Sequence, residues 1–266
     1  MSRRVLVTGA ASGLGAALVE RFAARDDRVL ATDLSEPQVA MATPGSDNSV
    51  VWRDLDVTSD DDWAAAAAWV ESEWGGLDVL VNNAGVAGGG RLELCSLEDW
   101  QWIFDINLFG VVRGTRAFVP MMKRQGSGRV VNTASLAGLV HPPGMGSYNA
   151  VKAAVVAFSE TLAHELAPYG VGCSAVCPSY FRTNLTESLR GSDTDVAAKV
   201  AAMVAQSPIS ADDIAAAVLA GMEAGDELIV PDEPARAAYD LKRSHRDAYD
   251  TEMRRTAARM KERADG

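Results

Sequence analysis

The sequence predicts an α/β fold in which a single doubly wound parallel sheet of about seven strands is covered by helices on both faces. Strand-like apolar runs alternate with helical patterns from residue 4 to about residue 231, and this alternation is typical of a parallel sheet. The run at Leu77–Val81 is almost wholly apolar, as a strand buried on both faces should be. Polar residues follow the runs at their carboxyl ends, where such sheets bind ligands. We therefore expect one ligand crevice at that edge.

Length and composition limit the classes of protein to which the chain can belong. Its 266 residues are 48% hydrophobic, which suits one domain with a sizeable core. We expect that domain at residues 1–231, with a mobile substrate loop near residues 184–207 and a charged helical extension at residues 232–266. The net charge of −11 argues against nucleic-acid partners, because phosphate binding needs clustered cations.

The cysteines and the amino terminus indicate the compartment. Cys95, Cys173 and Cys177 have the spacing of neither a disulfide framework nor a zinc site, so we expect no metal. Met1 is followed closely by a strand-like segment, without an apolar stretch long enough for a signal peptide or a membrane span. The expected protein is soluble, cytoplasmic and not bound to a membrane.

The first unit is predicted to be a strand, a glycine loop and a helix. Val5–Thr8 is rich in β-branched residues, and helical spacing begins after Gly9, Gly13 and Gly15. Glycine permits positive φ and a close approach to a ligand, and the free N–H groups at a helix start suit a pyrophosphate. The loop therefore predicts a dinucleotide site, with a glycine-rich turn that binds no ligand as the alternative.

Asp33 follows the second predicted strand, Arg28–Thr32. A carboxylate at this place can accept hydrogen bonds from the ribose hydroxyls of an adenosine and would repel a 2′-phosphate. Neither Ser12 in the glycine loop nor Leu34 offers the cation that a 2′-phosphate would need. The sequence thus favours NAD over NADP, although Asp33 also fits the start of an ordinary turn.

The third and fourth strands come next. Ser49–Trp52 is predicted as the third strand, and Ser59 with Asp62 three residues later is typical of a helix start. The fourth strand, Leu77–Val81, leads into Asn82–Gly85. Small and amide side chains at a strand end suit a cofactor crevice, and they also suit a turn.

A long helical pattern and three further strands complete the predicted sheet. The pattern covers Ser96–Met122 and carries the polar residue Asn107 beside its apolar stripe. A buried amide must be paired. The remaining strands are predicted at Arg129–Ser135, Val171–Cys177 and Glu227–Pro231.

Tyr148 and Lys152 are four residues apart. If this stretch is helical, the phenol and the ammonium project from the same face, one turn apart. A tyrosine hydroxyl has a pKa of about 10 in water, and a nearby cation lowers that pKa toward the range useful for acid/base catalysis. Taken alone, the pair also fits a half-buried Tyr beside a solvated Lys.

Five motifs together resemble the short-chain dehydrogenase/reductase family. They are Thr8-Gly9-x-x-x-Gly13-x-Gly15, Asn82-Asn83-Ala84-Gly85, Asn107, Ser135 and Tyr148-x-x-x-Lys152, and they lie within residues 4–184. The resemblance implies a Rossmann-type fold. It also implies an oxidoreductase that moves a hydride between a nicotinamide and a secondary alcohol or ketone.

The resemblance further implies a role for each matching residue. Tyr148 would exchange a proton with the substrate oxygen, while Lys152 would lower the pKa of Tyr148 and hold the ribose hydroxyls. Ser135 would hydrogen-bond the substrate oxygen, and Asn107 would help to hold a water between Lys152 and solvent. Asp56 would border the adenine. The residues expected to bind the cofactor NAD are Thr8, Gly9, Ser12, Gly13, Leu14, Gly15, Asp33, Asp56, Val57, Asn83, Ala84, Gly85, Tyr148, Lys152, Pro178, Phe181 and Thr183.

The substrate side shows one departure from the family. After strand six the family usually has Pro-Gly, whereas this chain has Pro178-Ser179, and a serine there would restrict access beside the nicotinamide. The other expected pocket residues are mostly apolar, which suits a hydrophobic alcohol or ketone. They are Ala87, Leu136, His141, Met145, Tyr180, Phe181 and Leu185, although His141 also fits an ordinary loop.

Other functions also fit part of the sequence. An NADPH-dependent ketoacyl-type reductase would have the same fold, but Asp33 argues against NADPH. A non-catalytic dinucleotide sensor or scaffold would need none of Ser135, Tyr148 and Lys152. An epimerase or dehydratase of the extended family fits the glycine spacing less well.

The resemblance implies a homodimer or homotetramer that pairs the helices around Asn107 and after Tyr148. Apolar residues beyond a single buried stripe predict an exposed interface there: Ile103, Val111, Ala154, Val155 and Phe158. A second stripe near the carboxyl terminus predicts a helix that covers a neighbouring subunit or the chain's own substrate loop. Its residues are Tyr249, Met253, Ala257, Met260 and Ala264.

Overall fold

A parallel sheet forms the centre of the molecule in the computed structural model, which describes residues 2–34 and 50–264. Within these residues the sheet has seven strands in the order β3-β2-β1-β4-β5-β6-β7, each parallel to its neighbours. The predicted doubly wound fold is therefore confirmed. Ser49, the predicted start of strand three, lies outside the described residues. The strands are β1 (Arg4–Thr8), β2 (Arg28–Asp33), β3 (Val50–Asp54), β4 (Val79–Asn82), β5 (Gly128–Thr133), β6 (Val171–Val176) and β7 (Leu228–Ile229).

Helices cover both faces of this sheet, and the strand side chains explain why. Val5 and Val7 join one core, whereas Leu6 between them joins the core on the opposite face. Successive residues of a strand alternate in direction, so an apolar strand needs a helical layer on each side. The helices are α1 (Gly13–Ala23), α2 (Asp60–Trp74), α3 (Leu97–Phe104), α4 (Gly110–Gln125), α5 (Ala137–Val140), α6 (Gly146–Leu166), α7 (Thr194–Ala205), α8 (Ala211–Ala224), α9 (Glu233–Ser244) and α10 (Arg246–Ala264).

The strand order reverses at β1, which lies between β2 and β4. In the register of the sheet, Val7 pairs with Ala31 on one side and with Val81 on the other. The carboxyl ends of the three strands therefore lie side by side. A crevice at such a switch point is where doubly wound sheets bind ligands.

The helix predicted over Ser96–Met122 is not continuous. A π-helical segment, Asp105–Phe109, separates α3 from α4. Asn107 lies buried in this segment, where it accepts a hydrogen bond from Val86 N at 2.8 Å and donates one to Val86 O at 2.9 Å. The buried amide is paired, as its burial requires. Such π segments are frequent at functional sites.

The carboxyl-terminal helices fold back over their own chain. The phenol of Tyr249 donates to Val140 O in α5, and Lys242 Nζ donates to Leu139 O. The predicted stripe is correct where Tyr249, Met253 and Met260 turn inward, but wrong for Ala257, which is exposed. The side chain of Ala264 lies outside the described part of the chain.

The apolar residues predicted to form an exposed interface are largely core residues. Ile103, Val111 and Val155 are 1%, 3% and 0% exposed, because α6 and the segment around Asn107 pack on each other. Phe109 is 50% exposed instead. The prediction of an exposed patch is therefore wrong for those three residues.

Among residues 2–34 and 50–264, no helix is long and apolar enough to cross a membrane.

Candidate active site

A cleft of about 1190 Å³ opens outside the carboxyl ends of β1, β2 and β4. It is larger than the roughly 300–1,000 Å³ of a typical small-molecule pocket, and it therefore has room for a cofactor and a substrate. Most of the predicted site residues line it, and they come from both ends of the cleft. They are Gly9, Ser12, Gly13, Leu14, Asp33, Asp56, Val57, Asn83, Ala84, Gly85, Ser135, Tyr148, Lys152, Pro178, Phe181 and Thr183.

The glycine loop forms the floor of one end. Gly9 and Gly13 have φ of 66° and 55°, a region that side chains with a Cβ rarely adopt. A Cβ on Gly13 would lie 2.6 Å from Thr183 Oγ1, and one on Gly15 would lie 2.0 Å from Gly9 O. The loop is therefore closed to any other residue at these positions, and α1 begins directly at the cleft.

Thr8 and Gly15 act behind the loop and do not line the cleft. Thr8 Oγ1 accepts hydrogen bonds from Asn83 N and Ala84 N, both at 3.0 Å. Asn83 Nδ2 returns a bond to Thr8 O at 3.0 Å. These contacts join the ends of β1 and β4, so Thr8 fixes the shape of the crevice from within the sheet.

Asp33 lies at the end of β2 beside the glycine loop. Its Oδ2 accepts a hydrogen bond from Ala11 N at 3.0 Å, and its Oδ1 accepts one from Leu34 N at 2.8 Å. The carboxylate is thus held in position at the rim of the cleft. Each of its oxygens has a further lone pair available for a ligand hydroxyl.

Asp56 and Val57 line the same end of the cleft after β3. Asp56 Oδ1 accepts from Thr58 N at 2.8 Å and from Thr58 Oγ1 at 2.7 Å. Its backbone N–H donates to Asp62 Oδ2 at 2.8 Å. One carboxylate oxygen of Asp56, Oδ1, is thus held by its own turn, and Val57 beside it offers an apolar surface suited to a flat ring.

Ser135, Tyr148 and Lys152 meet at the centre of the cleft. Tyr148 lies in the first turn of α6, and Lys152 follows one turn later. The Nζ of Lys152 is 5.7 Å from the centroid of the Tyr148 ring. Lys152 Nζ donates to Thr133 O at 2.9 Å, and Ser135 Oγ accepts from Ala137 N at 3.1 Å. The end of β5 and the start of α6 therefore bring the predicted residues together.

Burial dominates the ionisation of this group. It raises the pKa of Tyr148 to about 12, although a hydrogen bond with Ser135 opposes that rise. It lowers the pKa of Lys152 to about 8, because a low-dielectric site disfavours each charged form. In the protein without ligands the net pKa of Tyr148 is therefore raised by burial, and a lowering by Lys152 stays a prediction. At neutral pH the phenol is protonated and the amine is mostly an ammonium.

Asn107 lies behind this group and does not line the cleft. A Cβ on Gly85 would lie 2.8 Å from Asn107 Oδ1 and 3.7 Å from Lys152 Nζ. Gly85 thus separates the two side chains, while the amide of Asn107 holds Val86 by both of its ends. The side chain of Asn107 therefore fixes the backbone at Val86, directly after Gly85.

The sequence model of one family spans both this group and the glycine loop. That family is described as short chain dehydrogenase, and its model matches residues 3–194. The chain belongs to the short-chain dehydrogenase family. It is therefore an oxidoreductase that acts on a CH–OH or C=O group with a nicotinamide cofactor.

Relatives and solved structures agree with this assignment. The dehydrogenase is 39% identical over 194 residues to a 2-(R)-hydroxypropyl-CoM dehydrogenase of Xanthobacter autotrophicus, covering 70% of this chain and 78% of the relative. It is 37% identical over 190 residues to a 3-oxoacyl-acyl-carrier-protein reductase of Thermotoga maritima, covering 69% of this chain and 76% of the relative.

Two structures solved with bound cofactor have the same fold. A short-chain dehydrogenase/reductase from Burkholderia phymatum in complex with NAD has a TM-score of 0.85 and 30% identity, covering 93% of this chain and 95% of that chain. A short-chain dehydrogenase from Burkholderia cenocepacia in complex with NADP has a TM-score of 0.76 and 26% identity, covering 95% and 97%. The choice between the two cofactors therefore depends on the dehydrogenase's own residues.

A dinucleotide fits the observed cleft. The glycine floor would admit a pyrophosphate against the start of α1, since a helix N-terminus presents free N–H groups to an anion. Ser12 caps α1 without a side-chain bond to its backbone, which leaves those groups available. Among the described residues, no group of three or more His, Cys, Asp or Glu could hold a metal ion.

Ser179, where the family usually has glycine, anchors the carboxyl-terminal extension. Ser179 N and Oγ donate to the carboxylate of Asp232 at 2.9 and 2.6 Å. Asp232 also caps α9 by accepting from Ala235 N at 2.9 Å. The hydroxyl is therefore bonded to Asp232 while Ser179 also lines the cleft, and the restriction of access beside the nicotinamide stays a prediction. Neither sequence position by itself indicates the pairing.

His141 does not line the cleft. Its Nδ1 lies 2.8 Å from Lys242 Nζ, and its Nε2 lies 3.1 Å from Gly138 O. Burial and the neighbouring ammonium lower the pKa of His141 below its usual range. His141 belongs to the contact between α5 and α9, so its inclusion among the pocket residues is wrong.

The substrate side of the dehydrogenase has more walls than the sequence indicated. Ala87, Leu136, Met145, Tyr180, Phe181 and Leu185 line it as expected. The region predicted as a mobile loop contains α7, whose inner face adds Val196, Val200 and Val204. The four-residue spacing of these valines was the signal available in the sequence. Trp102, Met203, Met253 and Met260 also line this side.

Proposed function

We propose that this dehydrogenase uses NAD(H) to interconvert a hydrophobic secondary alcohol and its ketone. The position of Asp33, beside the glycine loop at the rim of the cleft, is the observation that carries the proposal. A carboxylate there would hydrogen-bond the adenosine ribose.

Charge at the adenosine end supports NAD over NADP. A 2′-phosphate facing Asp33 would be repelled and would need a nearby cation. From Leu34 to Trp52 the sequence contains no Lys or Arg. The next cation, Arg53, lies over the Trp69 ring, with its guanidinium carbon 5.5 Å from the ring centroid.

Different residues of the cleft would bind different parts of the cofactor. Gly9, Ser12 and Gly13 would hold the pyrophosphate, Val57 would contact the adenine, and Lys152 would hold the nicotinamide-side ribose. Phe181 and Thr183 would contact the carboxamide side. The remaining proposed contacts are Leu14, Asp56, Asn83, Ala84, Gly85, Tyr148 and Pro178, supported from behind by Thr8 and Gly15. When bound, the nicotinamide would supply the hydride donor or acceptor.

Tyr148 would transfer the proton at the substrate oxygen. In reduction, its protonated phenol donates to the oxygen of the ketone as the carbon receives hydride; in oxidation, the proton moves back. Ser135 Oγ would donate a hydrogen bond to the same oxygen and so orient it. The ammonium of Lys152 would stabilise the resulting phenolate. Asn107 would hold the adjoining backbone and would help to hold a water between Lys152 and solvent.

The experiment is a comparison of cofactors and substrates. Purified enzyme is assayed for NADH and NADPH formation with a panel of secondary alcohols, and both reduced cofactors are titrated by fluorescence. We expect turnover with NAD and tighter binding of NADH. Preference for NADPH together with activity on oxoacyl thioesters would favour a ketoacyl-type reductase. Cofactor binding without turnover on any substrate would favour a sensor or scaffold.

We also propose a homodimer or homotetramer in the cytoplasm. The support is an aromatic surface on α3 and the π segment, where the Trp100 and Phe104 rings stack with centroids 6.1 Å apart and Phe109 is half exposed. Exposed aromatic clusters commonly mark interfaces.

The three free cysteines fit a reducing compartment.

Light scattering after size-exclusion chromatography tests the assembly. The wild type should have a mass of two or four times 28.1 kDa, and Phe109→Glu should dissociate it. A wild-type protein of 28.1 kDa would contradict the proposal.

A further inference from the structure

We infer that α10 is the far wall of the substrate site in its own chain, and that Met253 and Met260 set how long an apolar group the substrate can carry. This inference rests on the proposed alcohol and ketone chemistry. It assigns a specificity-determining function to the carboxyl-terminal extension, which lies beyond the matched family region at residues 3–194.

Three contacts fix the extension against the segments that carry the reacting groups. Asp232 binds Ser179 after β6, Lys242 Nζ donates to Leu139 O, and the Tyr249 phenol donates to Val140 O. The last two acceptors lie in α5, between Ser135 and Tyr148. The extension is therefore tied to the catalytic segment by buried or half-buried polar contacts from Asp232 to Tyr249.

Met260 lines the cleft close to Gly144, as does Val196 of α7. A Cβ on Gly144 would lie 2.5 Å from Met260 Cε and 3.3 Å from Val196 Cγ2. Met260 of α10 and Val196 of α7 therefore both lie against the loop that leads to Tyr148. Met253, two turns earlier on the same face of α10, also lines the cleft.

The chemistry of this wall fits an apolar group. Thioether side chains are flexible and adapt to irregular apolar shapes, and Val200 and Val204 of α7 line the same part of the cleft. Arg259 is the cation of α10 at this surface, and its Nη2 is paired with Glu252 Oε1 at 2.7 Å. A hydrocarbon chain or ring that extends from the reacting carbon would therefore end against Met253 and Met260.

The test uses full-length enzyme and the 2-alkanols from 2-propanol upward. In the wild type, kcat/KM with NAD should rise with each added carbon and then stop rising at a defined chain length. Met260→Trp should move this limit to shorter alcohols and lower kcat/KM for the longest by at least about tenfold. Met260→Ala should move the limit to longer alcohols. In both variants kcat/KM should change less for 2-propanol than for the longest alcohols, because the shortest substrate reaches least far toward Met260.

Ala257→Trp is the matched control, because Ala257 lies on the same helix and is exposed. It should keep the wild-type limit. An unchanged limit in Met260→Trp, or a uniform fall across the whole series, would overturn the inference.

Calorimetric binding of 2-alkanones in the presence of NAD gives a second readout that does not need turnover. The same shift of the length limit is expected there. If the wild type binds the series with a Met260-dependent limit but turns over no alcohol, the proposed reaction is contradicted and the function of α10 in limiting substrate length is supported. If turnover is normal and neither assay shows a shift, the function of α10 is contradicted and the proposed reaction is supported.

Discussion

The two ends of the cleft are built in different ways. The dinucleotide end is made from strand ends that are neighbours in the sheet, where Asn83 N donates to Thr8 Oγ1 and Ala11 N donates to Asp33 Oδ2. The substrate end is made from loops and helices outside the sheet, for example where Ala87 N donates to Ser188 Oγ at 3.0 Å. The difference indicates that the cofactor site is part of the sheet, whereas the substrate walls can change without altering it.

Replacing Tyr148 should produce the largest effect, a loss of turnover without a loss of cofactor binding. Tyr148→Phe removes the proton donor, so kcat should fall by about 10²–10⁴-fold. The Kd for NADH should stay within about twofold, because the ring remains. Rate assays and fluorescence titration measure the two quantities. Tyr180→Phe, which removes a second hydroxyl from the cleft, is the control and should retain most activity. Full activity in Tyr148→Phe would contradict the proposed mechanism.

The dinucleotide end is tested at Asp33. Asp33→Asn loses a charge-assisted hydrogen bond to the ribose, worth about 1.5–3 kcal/mol, so NADH should bind about 10–100-fold more weakly. Binding of NADPH should weaken less or improve, because repulsion is removed. Asp54→Asn is the control, because Asp54 lies on β3 opposite Asp33 of β2 and is exposed. Equal losses for both cofactors would contradict the assignment.

The substrate end is tested at the ion pair between Arg91 and Asp193. Asp193 is 1% exposed, and its Oδ2 accepts from Arg91 Nε at 2.8 Å. Asp193 also caps α7 by accepting from Val196 N at 3.3 Å. Asp193→Asn removes the charge and weakens this cap, so KM for the alcohol should rise several-fold while the Kd for NADH is unchanged. Hydrogen exchange in α7 should become faster. The exposed neighbour Asp195, 4.0 Å from Arg91, gives the control Asp195→Asn, and a matching effect there would exclude a specific function for the buried pair.

A pH dependence of stability is expected in the protein without ligands. Lys152 has a pKa lowered to about 8 from 10.5, so between these values the unfolded chain binds more protons than the folded one. Unfolding free energy from Lys152 should therefore rise with pH in that window, by up to about 1.4 kcal/mol per pH unit. Urea unfolding at pH 8, 9 and 10 measures it. Lys152→Met should lack this rise, and parallel profiles for the two proteins would contradict it. Tyr148, with its pKa raised to about 12, acts in the opposite direction only above pH 10.

The sequence was sufficient for features that depend on nearby residues. The strands were predicted to within about two residues because apolar runs and turn residues act locally. The placement of Asp33, Asn83 and Ser135 at one edge followed from strand order, since parallel strands end on the same side. Tyr148 and Lys152 were placed on one helical face by their spacing alone.

The tertiary structure decided what depends on residues far apart in the chain. It divided the helix at Asn107, paired Ser179 with Asp232, and placed Met260 against Gly144. It also raised the pKa of Tyr148 where a cation one turn away had suggested a decrease. The physical reason is the same in each case. Periodicity and spacing determine which face of an element is apolar, but desolvation and side-chain pairing depend on which distant segment covers that face.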